Sequence, residues 1–359
     1  VIADPTTAPS RIPLRGKPVR SSRLGISFRV DLHVALVCAL AAIALVVVLV
    51  LSVLLGDFSV PFGDAIRNAL GIESGSSYFV VHELRLPRSL TGIMVGAAFG
   101  VAGAIFQSIA RNPLASPDVI GVNAGASAVA VLVIVLWNGS TTFVSLGALA
   151  GGLLTAGVVY ALAWRNGLSG YRLVLVGIGI GSVLLGVTSF LLTRTDLNTA
   201  QRATVWLTGS LNGRGWEHAG PVAVTLAVLL PVTFALGRKM HILELGDEAA
   251  RGLGLDVERS RALLVLAAVT LASVGTASAG PIGFVALVSP QIARRIARTP
   301  GAALLPSAFV GALITCAADL VARRVLAPTE LPVGVITAMI GAPYLLWLLT
   351  RNDPTGAGR

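Results

Sequence analysis

The segment with the most chemistry to offer is Leu245-Gly246-Asp247-Glu248-Ala249-Ala250-Arg251-Gly252-Leu253-Gly254-Leu255, which is acidic, then small, then punctuated by glycine. That order predicts a short helix followed by a turn, a compact knob fit for a partner protein rather than for catalysis. Asp319 stands four residues before Arg323, the spacing of an ion pair at a helix end. Gln107 and Gln291 can bond across helices. No paired carboxylates and no nucleophile beside a base stand out, which argues against an enzyme. His33, His82, His218 and His241 are scattered singly, without metal-ligand spacing. Cys38 and Cys316 both sit in apolar segments and suggest neither a disulfide framework nor a metal site. A phosphate-binding loop of the form GxxxxGK[ST] is missing; Arg15-Gly16-Lys17-Pro18 lacks both its first glycine and its last hydroxyl. Any ATP and Mg chemistry therefore belongs to another polypeptide, and no cofactor is expected in this chain.

The elements that position these residues are membrane spans. Of 359 residues, 55% are hydrophobic and 12% charged, against about 25% charged in soluble domains. The stretch 34–55 carries no charge at all and exceeds the roughly 20 residues that cross a bilayer. Ten spans fit, at 32–55, 88–110, 118–137, 142–164, 172–193, 218–237, 260–278, 281–297, 302–321 and 334–350. An all-α, polytopic membrane protein follows, with a basic tail (1–31), one transmembrane domain (32–350) and a short C-terminal tail (351–359). The 31-residue tail has no apolar core, and the first apolar run lacks a cleavage pattern, so it reads as a retained helix.

The net charge is +10, yet only two of the 27 basic residues are lysine. The arginines gather in the breaks between spans, which points to topology signals rather than to nucleic acid. With both termini in the cytoplasm, most of the basic residues fall inside, as the positive-inside rule requires. Arg85, Arg88 and Arg323 then lie outside, against that rule. Between spans one and two, Phe62 to Leu70 predicts a short helix on the outer surface. Glycines at i, i+4 spacing, such as Gly92, Gly96 and Gly100, predict close helix packing.

Five motifs in order carry a resemblance. They are Leu84-Arg85-Leu86-Pro87-Arg88, Arg111-Asn112-Pro113-Leu114-Ala115-Ser116-Pro117-Asp118, the 245–255 segment, Gly280-Pro281-Ile282-Gly283-Phe284 through Pro290, and Glu330-Leu331-Pro332-Val333-Gly334 followed by Gly341-Ala342-Pro343. Together they resemble the FecCD/BtuC-type ABC permeases that import iron–siderophores, haem and vitamin B12. Trp206-Leu207-Thr208-Gly209-Ser210-Leu211 and Gly213-Arg214-Gly215-Trp216 look like the iron–siderophore branch, with the vitamin B12 branch as the main alternative.

The resemblance implies a type II importer fold of ten spans in the cytoplasmic membrane. It implies a second permease subunit, identical or homologous, two ATP-binding subunits beneath, and an extracytoplasmic siderophore-binding protein above. It assigns docking of that protein to Arg85, Arg88 and Arg323, whose planar forks suit carboxylates. Coupling to the ATPase falls to Gly246, Asp247, Glu248, Ala249, Arg251, Leu253 and Gly254. The cytoplasmic gate falls to Ser169, Gly170, Tyr171 and Arg172, where Gly170 and Tyr171 depart from the small hydroxyl gate of other members. A stand-alone secondary transporter would explain the hydropathy equally well, but neither the 245–255 segment nor the outer arginines.

Overall fold

The computed structural model describes residues 17–21, 26–56, 58, 60–72, 76–165, 170–299 and 301–351. Two short strands, β1 (Lys17–Ser21) and β2 (Ile26–Val30), form an antiparallel hairpin that leads into the helical domain. The helices follow as α1 (Leu32–Leu54), α2 (Phe62–Ala69) and α3 (Ser76–Tyr78), which runs through a π-helical stretch at 79–85 into α4 (Leu86–Ala110). Next come α5 (Val122–Trp137), α6 (Thr141–Ala163), α7 (Gly170–Thr193), α8 (Leu197–Leu207) and α9 (Trp216–Glu244). The chain closes with α10 (Asp247–Gly252), α11 (Val257–Ala279), α12 (Val285–Ala297), α13 (Leu304–Arg324) and α14 (Val333–Arg351).

Every predicted span coincides with a helix. Among the described residues seven helices are long and apolar enough to cross a membrane, and α5 and α14 are shorter apolar helices. With 13 residues, α12 reaches only about 20 Å and cannot span the hydrocarbon core by itself. Leu36, Leu40, Ile43 and Val47 on α1 are exposed, as are Leu175, Val183 and Leu185 on α7, so lipid rather than water suits these faces.

The core sits around α4, which packs against α9, α11, α12 and α13. Phe99, Ile105 and Phe106 of α4 are fully buried. Glycine lets its backbone meet its neighbours directly. A Cβ at Gly96 would overlap the Gly311 carbonyl, and one at Gly103 would overlap that of Ala286. In lipid, where no hydrophobic force pairs helices, such backbone contact holds them together.

Three boundaries differ from expectation by four residues or more. α5 begins at Val122 rather than 118, because the connector turns through Gly121 at φ 86°. α12 begins at Val285 rather than 281, after Gly280 (φ 76°) and Phe284 (φ 67°) break the backbone. α9 runs on to Glu244, past the predicted end at 237, with Arg238, Lys239 and His241 in its last turns. The helix α8 and the N-terminal hairpin are additions. The short helix expected at 62–70 is present as α2.

Candidate functional site

The chemistry-bearing side chains gather at the two ends of the bundle. The lower end carries α10. Gly246 (φ 114°, ψ 154°) enters it and Gly254 (φ 78°) leaves it, both in backbone regions that side-chain-bearing residues avoid. Asp247 is the anchor. Its Oδ1 accepts from Arg111 at 2.5 Å and from Arg261 at 2.8 Å. Burial pushes the Asp247 carboxyl up, but its bonds to Arg261 and Arg111 outweigh that and hold it below the usual carboxylate range. Arg111 closes α4 in the left-handed region (φ 49°) and also donates to the Leu243 carbonyl at 2.9 Å. One carboxylate thus ties the end of α4, the end of α9 and the start of α11 to the same short helix.

Ala250 is fully buried beneath α10, while Glu248, Ala249, Arg251 and Leu253 are exposed and face away from the bundle. Leu245 and Leu253 are both about two-thirds exposed, at 66% and 65%, an apolar pair suited to a protein partner. Arg251 pairs with Glu258 at 3.6 Å. Sequence order alone indicated the knob; the clamp by Arg111 and Arg261 was not indicated, since Arg261 read as a topology charge and Arg111 only as part of the 111–118 motif.

Of the gate residues, Ser169 lies outside the described residues. Gly170 opens α7 against the end of α4, where a Cβ would sit 2.9 Å from Ala110 Cα. Tyr171 is 75% exposed, and Arg172 donates to the Arg165 carbonyl at 3.0 Å.

At the upper end Arg85, Arg88 and Arg323 line one cavity of 730 Å³. Their forks are held from within the chain. Arg85 donates to the carbonyls of Val53 and Phe58, each at 2.7 Å. Arg88 grips Asp319, with Nη2 to Oδ1 at 2.8 Å, and reaches Glu330 at 2.8 Å. Arg323 stands 3.3 Å from Asp319 and bonds Ser52. The expected helix-end pair Asp319–Arg323 is therefore present, but Asp319 serves Arg88 as well. Arg85 and Arg88 are each only 8% exposed. These side chains weld α1, α4 and α13, and they form the floor of the cavity rather than its rim. Arg324 beside them is exposed. Gln291 Nε2 reaches Gln107 Oε1 at 3.2 Å across the bundle, the interhelical bond the sequence suggested.

Asp118, in the connector before α5, has its carboxylate on the Asn123 amide, and Asn123 in turn accepts from Thr276 of α11 at 2.7 Å. Burial pushes the Asp118 carboxyl up to about 7, against the lowering effect of Asn123. A carboxyl raised on folding takes up protons on folding, so its contribution is intact below the unfolded value of about 4 and is lost as pH rises through 7. The thermal midpoint of the purified protein should therefore fall between pH 5 and about 8, and Asp118→Asn should flatten that slope. A variant with the parent's slope would assign the dependence to another group.

Residues 44–351 match the model of the FecCD transport family. The chain is 45% identical to the ferric enterobactin transport system permease protein FepG of Escherichia coli, over 82% of this chain and 87% of that one. It is 38% identical to the iron(3+)-hydroxamate import system permease protein FhuG of Bacillus subtilis, over 89% and 97% of the two chains. Among solved structures it is similar to a metal-chelate type ABC transporter in an inward-facing conformation, with a TM-score of 0.79, 26% identity and 88% of this chain covered.

Proposed function

The chain belongs to the FecCD transport family, and we propose that it serves as the permease of an ABC importer for ferric siderophores and related iron chelates, each end of its bundle meeting a different partner. The observation that carries the reading is α10, a short helix with glycine at both ends, anchored by Asp247 and presenting Leu245, Glu248 and Leu253 outward. ATP-binding subunits would grip that helix. A ligand or partner shifts an equilibrium only through contacts that differ between states, and the Arg111–Asp247–Arg261 clamp gives α10 a direct hold on three spans. The lower end is then cytoplasmic, with both termini on that side and the start of α7, Gly170 to Arg172, as inner gate beside the end of α4.

The upper cavity is the seat for a binding protein. Arg85, Arg88 and Arg323 form its floor, and the exposed Arg324 is placed to meet incoming carboxylates. A second permease subunit, identical or homologous, completes the path.

Reconstitution tests both ends. The chain alone in liposomes should neither hydrolyse ATP nor accumulate iron chelate; with ATP-binding subunits and binding protein it should do both. Uphill uptake by the lone chain would overturn the proposal. In the full assembly Arg324→Glu should weaken binding-protein docking several-fold, and more at low salt, because exposed charges act chiefly on encounter and are screened over about 8 Å at physiological ionic strength. Unchanged docking would remove this face from the interface.

A further inference from the structure

A second cavity of 650 Å³ opens beside the first at the upper end, and the two share Asn212, Gly213, Arg214 and Glu330 in their walls. Its size falls within the roughly 300–1,000 Å³ of small-molecule pockets. Two of its wall residues are arginines, and they are held differently from Arg88 and Arg323. Arg202 Nη2 donates to Asn138 Oδ1 at 2.6 Å and to Thr199 Oγ1 at 3.2 Å. Arg214 Nε donates to the Ser210 carbonyl at 3.3 Å, and its Nη1 lies 2.9 Å from His218 Nε2. Amides, hydroxyls, carbonyls and a ring nitrogen fix the direction of a guanidinium without cancelling its charge. The one carboxylate in the same wall, Glu330, is directed at Arg88. Glu217, near Arg214, pairs with His218 at 3.0 Å and is largely exposed.

Ile134, Val144, Val205 and Leu331 line the same cavity as the half-buried indole of Trp206, among the polar Thr141 and Ser210. A cation would meet like charge there, and a small hydrated anion would leave the apolar wall unused. Both features are used by an anion carried on an apolar or aromatic frame, which can stack on the indole while its oxygens take the guanidinium N–H groups.

We propose that this cavity is an entry subsite for the chelate and that it favours ferric complexes with net negative charge on an aromatic or apolar ligand frame. The proposal rests on the permease reading above. Arg202 and Arg214 are its specificity residues and Trp206 its stacking platform.

Trp206 also supplies the probe, since a bound ferric complex quenches a nearby indole. The purified importer complex is titrated with an anionic ferric tris-catecholate and, separately, with an uncharged ferric tris-hydroxamate of similar size. Saturable quenching by the anion is expected, lost in Trp206→Phe, with at least tenfold weaker binding of the uncharged complex. Arg202→Gln and Arg214→Gln should each weaken the anion by about tenfold, a typical worth for a charge-assisted bond, and leave the uncharged complex unchanged. Arg202→Lys, which keeps the charge, should recover most of the loss. Equal affinity for both complexes, absence of saturable quenching, or indifference to the Arg202 and Arg214 substitutions would overturn the subsite. ATP-driven uptake by the same complex is measured in parallel. If the parent imports no ferric chelate, the permease reading falls; if it imports them without charge preference at this cavity, only the subsite does.

Discussion

Replacing Asp319 by alanine should destabilise the protein more than any change to an exposed charge. Asp319 is almost fully buried, with only 4% of its side chain accessible. It holds Arg88 by three hydrogen-bond contacts and stands 3.3 Å from Arg323. The side chains of Arg88 and Arg323 are themselves only 9% accessible. Removing the carboxylate leaves two buried cations facing each other, and breaking a buried pair from one side costs about 3–5 kcal/mol. The loss should appear as a lower melting temperature in detergent and a smaller yield of inserted protein. Glu330→Gln is the control: its side chain is 34% accessible, and loss of a partly exposed pair is worth about 0–1 kcal/mol. If Asp319→Ala melts with the parent, the cluster does not hold the upper end together.

The second large effect is expected at the entrance to α10. Gly246 has φ 114° and ψ 154°, a region essentially reserved for glycine. A Cβ there meets no atom within 4 Å, so the obstacle is the backbone conformation rather than crowding at that atom. Gly246→Val should therefore force the chain off this geometry, at about 1–3 kcal/mol. Asp247 would move with it, and the clamp to Arg111 and Arg261 would be lost. The assembled importer should keep hydrolysing ATP while uptake per ATP falls by about tenfold, since a shift of this energy reweights two states by that factor. Insertion and binding-protein docking should be unchanged, because the upper end lies at the other side of the bundle. Coupling equal to that of the parent would remove α10 from the transmission path.

Seven spans were legible because each carries a long apolar run, and membrane helices declare themselves by composition; α5, α12 and α14 coincide with predicted spans but are shorter. The boundaries that slipped have a common origin. Val119 and Ile120 extend the apolar pattern of α5, yet Gly121 at φ 86° places them in a turn. Pro281 to Phe284 reads as membrane sequence but is irregular backbone, tolerated because Ile282 is fully buried in protein. α8 escaped a search for hydropathy because it is amphipathic, although Asp196 caps it by accepting from Thr199 N at 3.0 Å.

Site residues divide in the same way. Asp319 and Arg323 share one helix, and four-residue spacing announced their pair. Arg88 and Asp319 lie 231 residues apart, and no local pattern joins them. That Arg85, Arg88 and Arg323 lie outside follows from topology, and their docking role from the resemblance. Topology assigns a side of the membrane, not the burial of a side chain. Arg202 lies in α8 and Arg214 in the loop that follows it, and only the fold brings them to one cavity.

The glycine contacts between α4 and α13 carry a mechanical meaning. At Gly96 and Gly311 each helix meets the other's carbonyl with no side chain in between. Side chains are the compliant layer of most helix interfaces, because they can change rotamer while the backbones slide. At these contacts that layer is missing, which opposes sliding of one helix past the other. On the proposed reading, a displacement entering at Arg111, on the lower tip of α4, would be carried toward Arg88 at the upper tip. The pair would act as a lever arm, with its load at the cavity floor and its handle at α10.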